Sequence, residues 1–238
     1  MTPKTKSTLF AFTLCSLLFY IPLARAATST FNSGSEGWSV VSFSDLPANN
    51  YSVAGSYGPT YNANGGNPGG YISSTDPDGG YFMFSAPSSF LGNQSAAFGT
   101  NFTYDITHSG AIDFNTTDLM LVGNGIRLLW QSSTPLMPGP AWLAVSVALA
   151  PSAQWRVNTT SGAFATTADF QNVLANLTGI FIRGEYTSGP EQTGLDNVQL
   201  GRVAAAPAPD AGNTIFLFAF AAMALGAVER LLCGAARN

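Results

Sequence analysis

Residues 154–200 restrict the possible folds of this chain more than any other segment, because they carry signals for one helix and for two strands after it. Four apolar residues recur with the spacing of a single helix face: Phe170, Val173, Leu174 and Leu177. Thr166 lies three positions before Asp169, which is typical of a helix N-cap with a carboxylate near the positive end of the helix dipole. Gly179 is the expected stop signal. This segment therefore predicts a helix of roughly two to three turns.

Two strands are expected after the helix. Residues 180–186 alternate between two faces, which predicts one strand, and residues 195–200 predict a second. In the second strand, a period of two places Asp196 on the same face as Val198 and Leu200. Asp196 is therefore expected to point partly inward, where an unpaired carboxylate is costly.

Five short segments resemble the laminin IV (laminin B) domain family, and they occur in the family's order. They are residues 81–92 (YFMFSAPSSFLG), 123–125 (GNG), the aromatic-led strand 142–149, the Trp-Arg pair at 155–156, and residues 166–183 (TTADFQNVLANLTGIFIR). The resemblance covers roughly residues 71–200. It implies an antiparallel β-sandwich of jelly-roll, galactose-binding-like type.

The rest of the body supports an all-β fold with one short helix. Further strands are predicted at residues 82–85, 97–106, 119–122, 126–130 and 143–149. Residues 49–80 are rich in Gly, Asn and Tyr and are expected to form a recognition loop on this scaffold. Residues 27–203 are long enough for one sizeable core, so a single domain is expected there.

Charge excludes one class of partner. Only 9% of the residues are charged, and the body at residues 27–203 has four arginines against eleven carboxylates. Both lysines, Lys4 and Lys6, precede the first apolar run. Without a basic patch to neutralise phosphates, nucleic acid is not expected as a partner. Low charge with abundant small polar residues suits a secreted β-protein.

Residues 1–26 are predicted to be a secretory signal peptide. Two lysines precede an apolar core at residues 9–23, and the Ala24-Arg25-Ala26 sequence is a suitable cleavage site. A permanent membrane span would need about 20 apolar residues. We therefore expect the protein to be secreted or held in the cell envelope.

The C-terminus resembles an exosortase-type sorting tail of the Val-Pro-Asp-Ser-Gly class. Residues 204–214 are a Pro/Ala-rich linker that contains Pro209, Asp210 and Gly212, and residues 215–238 are expected to form a hydrophobic helix with a basic end. The resemblance implies a sorting enzyme as a partner and at least transient contact with the inner membrane. An uncut membrane anchor and a lipid-anchor signal are the alternatives.

No catalytic constellation is evident, so the chain is not expected to be an enzyme. His108, the one histidine, lies in a His-Ser-Gly sequence and is expected to be a surface turn residue. The acid pairs Asp76/Asp78 and Asp113/Asp118 also have turn contexts and are expected to be solvated. A nucleophile elbow is missing as well.

Asp196 is the most informative acid. A structural Ca²⁺ held with residues of the first strand, Asn32 or Glu36, would neutralise it, as would an ion pair with Arg183. The sequence leaves both possibilities open.

Tyrosines in the 49–80 segment are the candidate ligand contacts. Tyr51, Tyr57 and Tyr61 could stack on sugar rings, or they could be plugs of a packed loop. The favoured function is a non-enzymatic module for adhesion or for binding an extracellular glycan or matrix component. A lectin or carbohydrate-active enzyme and a purely structural surface protein are the alternatives.

Overall fold

The computed structural model describes residues 26–44 and 52–201, which form two antiparallel sheets facing each other. The first sheet contains β1 (Ala27–Ser29), β4 (Thr60–Gly66), β5 (Gly69–Thr75), β7 (Asn101–His108), β10 (Leu143–Ala148) and β13 (Gln192–Leu200), in the order β10-β7-β13-β5-β4 with β1 also paired to β13. The second contains β2 (Ser39–Phe43), β3 (Val53–Tyr57), β6 (Tyr81–Ser85), β8 (Leu119–Gly123), β9 (Ile126–Trp130), β11 (Trp155–Val157) and β12 (Leu177–Arg183), in the order β11-β9-β8-β12-β6-β2-β3. The architecture is the mostly antiparallel β-sandwich with one helix that the sequence predicts.

The core lies between the two sheets and follows the two-residue period of the strands. In β7, Phe102, Tyr104 and Ile106 are buried while the residues between them are partly exposed. One continuous apolar cluster contains these three side chains and the inward side chains of β12. Alternation of this kind commits each strand to one register, because a one-residue slip would turn every apolar side chain outward.

One helix, α1 (Thr167–Ala175), confirms the prediction from residues 166–175. Thr166 Oγ1 accepts a hydrogen bond from Asp169 N, and the Asp169 carboxylate accepts one from Thr166 N, which completes a capping box. Phe170 is fully buried with its ring edge-on to Trp155 at 5.1 Å. The predicted C-terminal end of the helix is wrong, because α1 ends at Ala175 with Asn176 as its C-cap. Leu177, predicted on the helix face, and Gly179, predicted as the stop, both lie in β12.

The segment predicted as a recognition loop is largely sheet. From residue 52 onward it forms β3, β4 and β5. The strands β3 and β4 lie at the edges of the two sheets and are mostly exposed, so their sequences need no apolar alternation. The predicted strand 97–106 is also corrected at its start, because Ser95–Ala97 is a short 3₁₀ helix and β7 begins at Asn101.

The strand β13 contains a bulge that changes where Asp196 points. Its pairing with β7 shifts between Asp196 and Gln199, and Asn197 has a φ of 49°. Leu195, Val198 and Leu200 all reach the core, whereas Asp196 lies opposite Asp105 on the outer face of the sheet. Asp196 is buried as expected, but it does not share the face of Val198 and Leu200 as strict alternation predicted.

The predicted signal peptide at residues 1–26 and the tail at residues 204–238, with the motif residues Pro209, Asp210 and Gly212, lie outside the described residues apart from Ala26. Within residues 26–44 and 52–201, no helix is long and apolar enough to cross a membrane.

Candidate functional site

Asp196 is buried under the turn that joins β4 to β5. Its Oδ2 accepts a hydrogen bond from Asn67 N at 2.6 Å, and its Oδ1 accepts one from Asn197 N at 2.7 Å. Burial raises the pKa of the Asp196 carboxyl, and the nearby acids Asp105 and Glu36 raise it further, while the two N–H donors lower it. Negative charge is therefore concentrated around Asp196, and the hydrogen bonds that its carboxylate accepts come from main-chain N–H groups.

Oxygen atoms converge on this turn because glycine leaves space for them. A Cβ on Gly66 would lie 2.7 Å from Asp196 Oδ2 and 2.9 Å from the carbonyl oxygen of Gly69, with the carbonyl oxygen of Gly70 closer still. Asn32 Nδ2 donates to Thr30, while a Cβ on Gly69 would lie 2.7 Å from Asn32 Oδ1. Carboxylate, amide and carbonyl oxygens are the ligands that Ca²⁺ prefers.

The alternative neutralisation of Asp196 by Arg183 is wrong. Arg183 is fully buried elsewhere, where its Nη1 lies 3.2 Å from Asp118 Oδ1. This ion pair also corrects the expectation that Asp118 is a solvated turn residue, because Asp118 is fully buried. Asp118 Oδ2 accepts a hydrogen bond from Ser132 N, so both of its oxygens have partners.

A cavity of about 230 Å³ lies on the outer face of the first sheet. The indole of Trp142 and the phenol ring of Tyr71 meet there edge to face, with centroids 5.3 Å apart. Trp142 Nε1 donates to the carbonyl oxygen of Gly65 at 3.0 Å, which ties the β4–β5 hairpin to the start of β10. The lining also includes His108, Pro140 and residues with hydroxyl or amide side chains: Ser73, Thr107, Ser109 and Gln192.

The floor of this cavity depends on one glycine. A Cβ on Gly194 would lie 2.7 Å from Thr107 Cγ2 and 3.1 Å from the Tyr71 ring. Its absence lets the ring of Tyr71 lie close to the sheet backbone. Two partly exposed aromatic rings beside several hydroxyl and amide groups form a surface suited to sugar rings and their hydroxyls.

Comparison with known proteins relates this fold to one family. The family model described as Laminin B (Domain IV) matches residues 83–213. The chain belongs to the laminin B (domain IV) family. Laminin subunit gamma-2 of Equus caballus is 30% identical over 141 residues, which are 53% of this chain and 11% of that protein. The chain thus spans about a tenth of the length of this curated relative.

A solved structure supports the laminin IV fold. The L4b domain of human laminin alpha-2 superposes with a TM-score of 0.55 at 13% identity, over 74% of this chain and 98% of that domain. At this identity the likeness concerns the fold alone. The family resemblance inferred from residues 81–92 and 166–183 is confirmed. The sorting-tail resemblance stays a prediction.

The candidate tyrosines do not form one site in this laminin IV domain. Tyr51 lies outside the described residues. Tyr57 ends β3 in the second sheet, where its hydroxyl donates to Asp78 Oδ2 at 2.9 Å. Tyr61 lies on β4 in the first sheet, and its hydroxyl donates to the carbonyl oxygen of Asn32 at 3.2 Å. Tyr61 is therefore next to the Asp196 site, and Tyr57 belongs to the other sheet.

His108 is buried, which corrects the expectation of a surface turn residue. It is 1% exposed, and its Nδ1 lies 3.1 Å from Thr193 Oγ1 and 3.4 Å from Glu191 Oε2. The buried positions of β7 continue from Ile106 to His108 with the same period of two. That alternation was the signal in the sequence that could have placed His108 inside.

Glu185 and Glu191 are buried acids that the sequence did not single out. They lie in and beside the loop between β12 and β13, and the Glu191 carboxylate accepts hydrogen bonds from Tyr186 N at 3.0 Å and Thr187 N at 2.9 Å. Their carboxyl groups are near enough for each to affect the pKa of the other. Glycosidases hold their two carboxyls about 5 Å or more apart around the scissile bond, so this pair does not have a glycosidase arrangement.

Proposed function

We propose that this protein is a non-catalytic extracellular module that binds a matrix polysaccharide on the outer face of its first sheet. The observation that carries the proposal is the cavity in which Tyr71 and Trp142 lie beside hydroxyl and amide side chains. Membership of the laminin B (domain IV) family supports a role in adhesion or in an extracellular matrix. A surface of this kind binds by stacking and hydrogen bonding without a reacting group.

A glycan array with the full-length protein tests this proposal. We expect binding to one class of polysaccharide, and we expect Trp142→Ala to weaken it about tenfold or more, as for loss of a central aromatic contact. Phe164→Ala is the matched control, because Phe164 is an aromatic side chain 53% exposed outside this cavity. Equal binding by the two variants would overturn the assignment, and so would a folded wild-type protein that binds no glycan.

We propose in addition that a structural Ca²⁺ binds between Asn32 and Asp196, with Glu36 supplying negative charge nearby. Support comes from the oxygens that converge at the β4–β5 turn and from the acidic neighbours of Asp196. The ion would supply positive charge and tie the first loop to the β4–β5 hairpin, which also forms the wall of the glycan cavity through Gly65. Glycan binding is therefore expected to weaken in a chelator.

Calcium binding has a test that does not depend on the glycan. We expect Ca²⁺ to raise the melting temperature of the wild-type protein and Asp196→Asn to abolish that increase. Mg²⁺ at the same concentration is the control, since it prefers a smaller octahedral site. If calorimetry shows no heat of Ca²⁺ binding and Ca²⁺ does not change the melting temperature, the calcium proposal is overturned. The glycan proposal would not be affected.

The ends of the chain complete the proposal. Export by the signal peptide at residues 1–26 and processing at Pro209, Asp210 and Gly212 by a sorting enzyme at the inner membrane would deliver the module to the cell envelope. Mass spectrometry of the protein recovered from its native envelope tests this. We expect a C-terminus within the linker 204–214, and an intact residue 238 would favour an uncut anchor.

A further inference from the structure

A second cavity, of about 520 Å³, opens on the second sheet. Aromatic rings of three elements form part of its wall: Phe43 of β2, Tyr81 of β6, and Phe114 of the segment before β8. Two acids, Asp76 and Glu185, line it as well. This cavity has no lining residue in common with the one beside Trp142.

Glu185 is the unusual residue in this cavity. It is only 7% exposed, and its Oε2 has no hydrogen-bond partner among the described residues. The nearest guanidinium does not neutralise it, because Arg183 Nε donates to the main-chain oxygen of Glu185 at 2.6 Å and Arg183 Nη1 pairs with Asp118. A buried carboxyl group without a neutralising cation is costly, and Glu185 is among the residues that line this cavity.

The surroundings of Glu185 favour a positively charged ligand. Burial raises the pKa of the Glu185 carboxyl to about 9, and the Glu191 and Asp76 carboxyls contribute in the same direction, whereas Arg183 lowers it. His108 faces Glu191 from β7, on the far side of the pair. The raised pKa favours the protonated form of the Glu185–Glu191 pair, and a cation in the cavity would displace that proton by stabilising the carboxylate.

The residues that line this cavity favour an organic cation over a metal ion. Two acids, Asp76 and Glu185, are among the lining residues of this cavity, and these residues include no His or Cys. An ammonium group has three N–H donors for carboxylate oxygens, and aromatic rings attract it. The cavity is larger than an ammonium group alone requires, and the hydroxyls of Ser44 and Ser188 line it beside the backbone of Gly79 and Gly80.

We propose that this cavity binds the ammonium group of an amino sugar, with the carboxyls of Glu185 and Asp76 as its acceptors. The aromatic rings border the sugar and the serine hydroxyls bind its hydroxyl groups. A lysine side chain carries the same charge, but its apolar stem forms no hydrogen bonds with the polar part of the lining. The proposal is independent of the cavity beside Trp142.

Isothermal titration of the full-length protein with glucosamine at pH 7 tests the proposal. We expect a saturable heat with glucosamine and none with N-acetylglucosamine, which lacks the charge. Because Glu185 gives up its proton, titrations in two buffers of different ionisation heat should reveal proton release on binding. Glu185→Gln preserves the shape of the neutral acid, so we expect a folded variant with at least about tenfold weaker binding and no proton release.

Trp142→Ala is the control for the other cavity and should bind glucosamine as the wild type does. Equal binding of glucosamine and N-acetylglucosamine would overturn the proposal, and so would wild-type affinity in a folded Glu185→Gln variant. A lysine amide that binds as tightly as glucosamine would overturn the assignment to a sugar. If the wild-type protein shows no heat of glucosamine binding, the proposed site is overturned.

Discussion

Asp105 and Asp196 lie directly opposite each other on β7 and β13, and two asparagines, Asn67 and Asn197, each contact both carboxylates. Asn67 donates its main-chain N–H to Asp196 and its side-chain Nδ2 to Asp105 Oδ2 at 3.1 Å. Asn197 Nδ2 donates to the same Asp105 oxygen at 2.8 Å. Like charges directly opposite on a sheet are destabilising, so this pair persists because the β4–β5 turn covers it with donors.

Gly66→Ala is expected to destabilise this turn. The added Cβ would meet the carbonyl oxygen of Gly70 and Asp196 Oδ2, and neither can move freely. Overpacking of this kind costs about 1–3 kcal/mol. Chemical denaturation should show this loss, and the Ca²⁺-dependent rise in melting temperature should shrink as well. Gly139→Ala is the matched control, because a Cβ at Gly139 has no atom within 4 Å. A Gly66→Ala protein as stable as the control would contradict the packing of the turn.

Removing one partner of the Arg183–Asp118 pair should be strongly destabilising. Both side chains are fully buried, and Arg183 Nη2 also donates to the carbonyl oxygen of Phe114 at 2.6 Å. Asp118→Asn leaves the guanidinium charge without its counterion, at a cost of about 3–5 kcal/mol in the free energy of unfolding. Urea denaturation at pH 7 measures it. The double variant Arg183→Met, Asp118→Leu removes both charges and should lose less than Asp118→Asn alone, whereas a larger loss would contradict the electrostatic origin.

The parts of the fold that were predictable from sequence are those with local signals. The N-terminus of α1 follows from Thr166 and Asp169, which interact within one helical turn, and the hairpin of β8 and β9 follows from its Gly-Asn-Gly turn. The stop at Gly179 was wrong because pairing of Leu177 with β8 ends the helix earlier. Tertiary pairing there overrides a local signal.

The candidate sites were less predictable because they depend on contacts between distant residues. Burial of Asp196 was expected, but its direction depends on a bulge at Asn197 that alternation cannot reveal. Tyr71 and Trp142 are brought together by the β4–β5 hairpin, whereas the sequence predicts a loop there. Glu185 lies in the segment 180–186 that the sequence predicts as a strand, but β12 ends at Arg183, so only the structure shows Glu185 near Asp76 and Glu191.

The cap of α1 offers a test of a local contribution. Thr166→Ala removes the acceptor of the Asp169 N–H and the hydroxyl that donates to its carboxylate at 2.6 Å. We expect a loss of about 1 kcal/mol in the free energy of unfolding. Thr167→Ala is the control, since the neighbouring residue lies inside the helix, where alanine is favourable. A loss as large in the control would show that the capping box does not account for the effect.

Glu185 is expected to make the protein less stable as the pH rises. The pKa of its carboxyl is raised to about 9 in the folded protein, mainly by burial, whereas an exposed glutamate in the unfolded chain ionises near 4.5. Between these values the folded state binds a proton that the unfolded state has lost, so this contribution to stability is fully present below about pH 4.5 and is lost towards pH 9. Burial also raises the pKa of Glu191, which acts in the same direction.

Urea denaturation at pH 5, 7 and 9 measures this dependence, with Glu185→Gln as the variant that removes it. Glutamine keeps the size of the neutral acid and does not titrate, so the decline in stability from pH 5 to 9 should be smaller in Glu185→Gln than in the wild type. Thr167→Ala serves as the control, because it removes no titratable group, and its pH profile should run parallel to that of the wild type. Parallel profiles of wild type and Glu185→Gln would mean that Glu185 is ionised in the folded protein, and the cavity would then hold a carboxylate before any ligand arrives.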